Sequence, residues 1–159
     1  MEIKIQKTAE SDIPHILTMM REFAEYEGLG ENVEVTAERL RMAMFGEGSF
    51  VDGVMAFDGE EPVAYALFYP YFASFRGQRG MYLEDIYIKA ERRGNSLGER
   101  MLREIARIAT ERGFERIDFQ VLENNHPAIG FYEKHGAVRD DTERHFKFTD
   151  EAFLRLAEG

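Results

Sequence analysis

Apolar residues recur along this chain in two periods, and the switches between them lay out its elements. Residues 2–7 alternate Ile3 and Ile5 with polar neighbours, the pattern of a half-buried strand. From residue 13 the spacing becomes helical: Ile13, Ile16, Leu17, Met20, Phe23 and Ala24 form one stripe. Ser11 or Asp12 can cap that helix, Pro14 suits its first turn, and Gly28 and Gly30 end it. Thr36 caps a second helix over 37–45, which Gly46 and Gly48 close. Two apolar, aromatic runs follow, 50–57 and 63–71, separated by Asp58-Gly59-Glu60-Glu61-Pro62. Asp-Gly between such runs predicts a hairpin. Residues 73–80 read as a loop carrying Arg76 and Arg79.

The stretch 81–112 organises the rest. Residues 81–89 are rich in aromatic and β-branched side chains and predict a strand. A basic, Gly-containing loop leads to a helix capped by Asn95 or Ser96, in which Leu97, Met101, Leu102, Ile105, Ile108 and Ala109 share a face. Gly113 ends it, and 116–122 is the next strand. Pro127 sits well at the start of a short helix reaching about Lys134, with Gly136 behind it. A last strand pair is expected at 137–140 and 144–148, then a C-terminal helix from Thr149-Asp150 holding Phe153, Leu154 and Leu156. With no repeat, low-complexity tract or linker, 1–159 reads as one α/β domain with a mixed sheet.

Composition narrows the chemistry. A net charge of −10 over 159 residues argues against nucleic acid, whose binders carry basic faces, and favours cations. The chain has no cysteine, hence no thiol nucleophile and no zinc–thiolate site, and nothing predicts a metal. No apolar run approaches membrane-spanning length, so no membrane partner is expected and a cytoplasmic location is.

Two features break local rules. The loop Arg92-Arg93-Gly94-Asn95-Ser96-Leu97-Gly98 aims backbone N–H groups and the positive end of a helix dipole beyond the strand's carboxyl end, as anion sites do. It is neither a Walker A loop nor a GxGxxG fingerprint. Inside the strand, Glu84 and Asp85 stand side by side where acids are disfavoured. Plain alternation would give Glu84 the apolar face-neighbours Tyr82 and Ile86; an acid pair that simply reaches solvent is the competing reading.

RRGNSLGERML resembles the acetyl-CoA pyrophosphate loop of the GNAT N-acetyltransferases, whose pattern is Arg/Gln-x-x-Gly-x-Gly/Ala. KIQKTAESDIPHIL, FAEYE, YLED, FYEKHGA and HFKF, in order along nearly the whole chain, resemble the diamine (spermidine/spermine) acetyltransferase branch. The resemblance implies a central, mostly antiparallel sheet flanked by helices, acetyl-CoA as co-substrate, and a homodimer. Its reaction is direct attack of an amine on the thioester through a tetrahedral intermediate. An alkylamine of pKa roughly 10.4 is only about one part in 2,500 neutral at pH 7, a handicap of about 4.6 kcal/mol. The branch's strand carboxylate, carried onto Glu84, is the proton acceptor, and Asp85 positions the amine. Tyr132 occupies the general-acid position, where a phenol of pKa near 10 suits a departing thiolate. The backbone of Ile86, Tyr87 and Ile88 would pair with the pantetheine arm, while Arg93, Gly94, Asn95, Ser96, Leu97 and Gly98 cradle the pyrophosphate. Asn125 and Lys134 would meet the pantetheine and adenosine-phosphate region, and Arg92 could equally be a solvated charge.

The match departs in two places. Ser96 stands where the loop pattern has its first Gly. In the amine pocket Tyr26, Glu27 and Asp85 are kept, but Ala73-Ser74-Phe75 replaces an acid–aromatic pair, and Asp141 with Glu143 replaces an acid–tryptophan pair. A polyamine, a diamine and a lysine-like amine all remain open as substrates. So do transfer to a protein amine and a non-catalytic acyl-CoA-binding sensor.

Overall fold

A computed structural model describes residues 2–159. By the density of internal packing the chain divides into two units, Met1–Gln120 and Val121–Gly159.

The first unit is built on a five-stranded sheet of β1 (Ile3–Lys7), β2 (Asp52–Asp58), β3 (Glu61–Ala73), β4 (Gln78–Ile88) and β5 (Arg116–Asp118), in that spatial order. All neighbours are antiparallel except β4 and β5. Helices cover both faces: α1 (Ile13–Tyr26) and α2 (Ala37–Phe45) one, α3 (Leu97–Glu111) the other. The α3 stripe Leu97, Met101, Ile105 and Ala109 is buried against Ala64, Ala66, Phe68, Met81 and Leu83. Burying each of the larger side chains is worth about 1.5–3 kcal/mol. On the opposite face Ile13, Ile16, Leu17, Met19, Leu40 and Met44 close over Met55, Tyr65, Leu67 and Tyr87.

Most predicted elements form where expected, and the Thr36 side chain does accept from Arg39 N–H at 3.2 Å. Residues 73–80 are not a long loop. β3 reaches Ala73 and β4 starts at Gln78, so only 74–77 remain between them, a tight turn closed by Gly77 N–H on Ser74 C=O at 3.1 Å. β5 stops at Asp118, short of the predicted 122.

The strand pairing contains the decisive irregularity. Leu67 lies opposite Asp85 but Phe68 lies opposite Leu83, so Glu84 is the extra residue of a β-bulge. The bulge reverses the alternation of β4. Met81 and Leu83 face α3 before it, and Ile86 and Ile88 face α3 after it, while Asp85 and Tyr87 turn to the α1 side. Plain alternation therefore fails: Ile86 is not a face-neighbour of Glu84, and Glu84 is exposed.

The second unit holds α4 (His126–Lys134) and α5 (Asp150–Glu158). Pro127 sits in the first turn of α4, and Gly136, with φ +95°, closes it as Ala137 N–H reaches back to Tyr132 C=O. The predicted strands at 137–140 and 144–148 do not form a ladder. Instead Asp140 accepts from both the backbone and the hydroxyl of Thr142, a local turn that competes with pairing. Val138, Phe146 and Phe148 are left exposed, as are Phe153, Leu154 and Leu156 of α5.

Candidate active site

The site begins where β4 parts from β5. Their pairing covers Gly80 to Tyr82 against Arg116 to Asp118 and ends there, so residues 83–88 continue with β3 alone as ladder partner. The bulge at Glu84 falls at this opening, and bulges beside sites re-aim side chains.

Its effect is to give two adjacent carboxylates different surroundings. Glu84 is exposed and accepts a 2.9 Å hydrogen bond from the Tyr69 hydroxyl. Asp85 turns inward and accepts from the Tyr65 hydroxyl at 3.0 Å. Burial raises the Asp85 pKa to about 6; the charges of Glu84 and Glu27 push the same way, and the Tyr65 bond resists. Burial also raises Glu27. Glu27, Glu84 and Asp85 thus share one electrostatic neighbourhood.

Tyr26 belongs with the loop as much as with these acids. The Arg93 guanidinium lies 4.4 Å over the Tyr26 ring and 5.5 Å from the Tyr87 ring, and donates to Ile88 C=O at 3.0 Å. Tyr87 stacks on Phe23 and donates to Glu22, so it can offer a ligand only its backbone. The Leu97 side chain is likewise core. Arg92 is not a solvated charge: it is ion-paired with buried Asp58 at 2.8 Å and with Glu61 at 3.0 Å.

The loop itself fits an anion. Gly94 has φ +81° with open space where a Cβ would stand. Ser96 has φ +62° and makes no side-chain cap. The family pattern's glycine at this position has a backbone reason, since only glycine enters the left-handed region without strain. The first intrahelical bond runs from Arg100 N–H to Ser96 C=O, which leaves the amides of the first turn of α3 without helical acceptors, and these form the dipole's positive end. That is the donor set a pyrophosphate requires.

Asn125, Tyr132 and Lys134 all lie at α4, in the second unit. The Asn125 side chain caps the helix at Ala128 N–H, 3.4 Å away. Tyr132 packs edge-on against Phe131, which in turn meets His135. Among the described residues no group of three or more His, Cys, Asp or Glu could hold a metal, and no helix is long and apolar enough to cross a membrane.

Residues 16–137 match the model of the acetyltransferase (GNAT) family. The chain belongs to the GNAT acetyltransferases. It is therefore an acyltransferase, and acetyl transfer to an amine is its reaction class. It is 36% identical to the thialysine N-epsilon-acetyltransferase of Sus scrofa, over 98% of this chain and 97% of that one. The fold matches an integron cassette protein from the mobile metagenome of V. cholerae with TM-score 0.83, at 20% identity, covering 100% of this chain and 99% of the other. It also matches a predicted acetyltransferase from Clostridium acetobutylicum solved with acetyl-CoA, with TM-score 0.76 at 17% identity, over 92% and 97% of the two chains.

Sequence reasoning missed the phenols that surround the acids. Tyr65, Tyr69 and Tyr71 stand at odd positions of β3, and Tyr82 stacks on Tyr69 at 5.3 Å. The signal was available: tyrosine rather than phenylalanine at alternate positions of an apolar run puts polar tips along one face.

Proposed function

We propose that the chain transfers the acetyl group of acetyl-CoA to the primary amine of a small cationic substrate, a polyamine, a diamine or a lysine-like amine. What supports this most is the bulge, which sets Glu84 and Asp85 side by side where β4 leaves β5, with Asp85 within electrostatic reach of Glu27. When bound, acetyl-CoA supplies the activated thioester. First-turn amides of α3 and the backbone at Gly94 to Ser96 hold its pyrophosphate, and the free edge of β4 at Ile86 to Ile88 takes the pantetheine arm as an added strand. Glu84, accessible and steadied by Tyr69, accepts the proton that an ammonium must lose before it can attack. Asp85 and Glu27 hold the cationic head group. Tyr132 donates the proton that the leaving thiolate requires. Homology supports an amine of this class: the Sus scrofa relative is named for acetylating thialysine.

A homodimer in the cytoplasm is part of the same proposal. The diamine-branch resemblance supports it, and so do the large apolar side chains that the second unit leaves exposed, among them Val138, Phe146, Phe148 and Leu156. Light scattering at micromolar concentration tests the dimer.

An amine panel with acetyl-CoA, following free thiol, tests the activity. Tyr132→Phe should lower kcat at least about tenfold while calorimetry still detects acetyl-CoA binding. Normal turnover in that variant removes Tyr132 from the mechanism. Glu84→Gln should shift the alkaline activity limb upward, because the amine then loses its proton unaided; an unmoved pH profile makes Glu84 structural.

A further inference from the structure

Beyond Glu84 the same sheet face carries a second polar station that the acetyl-transfer chemistry does not use. Arg116 and Asp118 of β5 form a two-pronged ion pair, Nε to Oδ1 at 2.8 Å and Nη2 to Oδ2 at 2.9 Å. Their side chains are 34% and 36% exposed, so a ligand can reach both. Burial works against ionisation, but the Arg116 bonds hold the Asp118 carboxyl below its ordinary range, so the pair keeps both charges.

The surroundings look built to present it. Gly80 lies beside Arg116 in the ladder and opposite Tyr71 on the other flank. A Cβ at Gly80 would stand 2.2 Å from the Tyr71 ring, so the missing side chain is what lets that ring lie across β4 toward the pair. Arg116 approaches the Tyr71 ring to 5.9 Å, and Tyr82 meets Tyr71 edge-on at 6.4 Å. The Tyr71 hydroxyl is buried facing Asp118 and Arg116 yet makes no hydrogen bond of good geometry, an arrangement not optimised for stability alone. Tyr82 pairs with Asp118 and feels the charges of both Glu84 and Asp118, which puts its phenol between the two stations. Two residues along one strand and one strand across make the Cα separation of Glu84 and Asp118 roughly 8 Å, which a lysine-length chain can bridge.

We infer that Arg116 and Asp118 select an α-amino-acid head group, so that the preferred substrate is a zwitterionic, lysine-like amino acid rather than a diamine or polyamine. The ligand's carboxylate meets the Arg116 guanidinium and its α-ammonium meets Asp118, while its side-chain amine reaches Glu84. A self-neutralised pair has no net attraction for a polycation, and Arg116 repels a second ammonium. The opposite charges of a zwitterion fit it at both ends. This rests on the transferase reading and names the substrate within it.

The test compares L-lysine and thialysine with cadaverine, the diamine that keeps the reacting end but lacks the carboxylate, using full-length protein with acetyl-CoA. Wild-type kcat/KM should favour the amino acids at least about tenfold. In Arg116→Gln and in Asp118→Asn that ratio should fall at least about tenfold, with the loss carried by KM, as expected when binding that is equal in ground and transition states is removed. Cadaverine turnover in each variant reports whether the fold and the chemical machinery survive. A wild-type preference for cadaverine, or a ratio unmoved in both variants, overturns the inference and leaves the transferase reading intact. No turnover of any amine by wild-type protein removes both.

Discussion

The two halves of β4 do different work, and the residue between them explains why. Upstream of Glu84, Gly80, Met81 and Tyr82 are paired on both flanks, and the side chains alternate between the α3 core and a tyrosine-rich face. Downstream, residues 85–88 pair with β3 only, carry Asp85 and Tyr87 inward, and run into the loop that opens α3. One half is scaffold paired on both flanks and the other is an edge paired on one. A single inserted residue makes the change, because a strand's side-chain period is two and any odd step reverses its faces.

Deleting Glu84 should therefore have the largest effect. Restored alternation would drive Asp85 and Tyr87 toward the α3 core, stranding a carboxylate at a cost of about 3–5 kcal/mol. Glu84→Ala, which keeps the bulge, should change stability by less than about 1 kcal/mol. Urea unfolding compares the two, and equal midpoints would deny the bulge its role in setting register.

Asp85→Asn comes next. The Asp85 pKa lies near 6 in the folded protein and near 4 when unfolded, so the folded state binds the proton more tightly. Its contribution to stability is complete below about pH 4 and is lost as pH rises through about 6, since the buried charge must then be carried. The variant should flatten that slope and gain about 1–3 kcal/mol at pH 8. Its activity should fall in the same experiment if the carboxylate holds the amine. Thermal melts between pH 4 and 8 decide the stability half; a slope unchanged in the variant assigns it to another group.

Ser96→Gly should have the smallest effect and the opposite sign to a typical substitution. Relief of the left-handed strain outweighs the added freedom of the unfolded chain by roughly 0.5–1 kcal/mol, and acetyl-CoA affinity should hold or improve. A loss of stability would mean that the Ser96 side chain contributes something beyond its backbone.

The helices were legible because their caps and stripes are local: Thr36, Pro14 and the Leu97-to-Ala109 face each declare themselves within a few residues. The Asp58-Gly59 hairpin declared itself in the same way. The bulge did not, since Glu84 and Asp85 announce an irregularity without saying which of them is the extra residue. That depends on Leu67 and Phe68, across the ladder. Strand ends were misjudged at β5 and at 137–148 because alternation records a capacity to pair, whereas pairing needs an edge. In the candidate site the loop before α3 and the adjacent acids were visible as sequence features. Tyr65, Arg116 and Asp118 were not, as their meaning arises only when β3, β4 and β5 lie side by side.

Arg93 has one further consequence. Its guanidinium lies near two aromatic rings and is tied to a carbonyl, so under the proposed function a phosphate arriving at Gly94 to Ser96 would compete for a group already engaged with Tyr26, next to Glu27. The two reactants would then not dock independently. On that reading, whatever the nucleotide does to amine affinity, the amine returns to the nucleotide in equal measure.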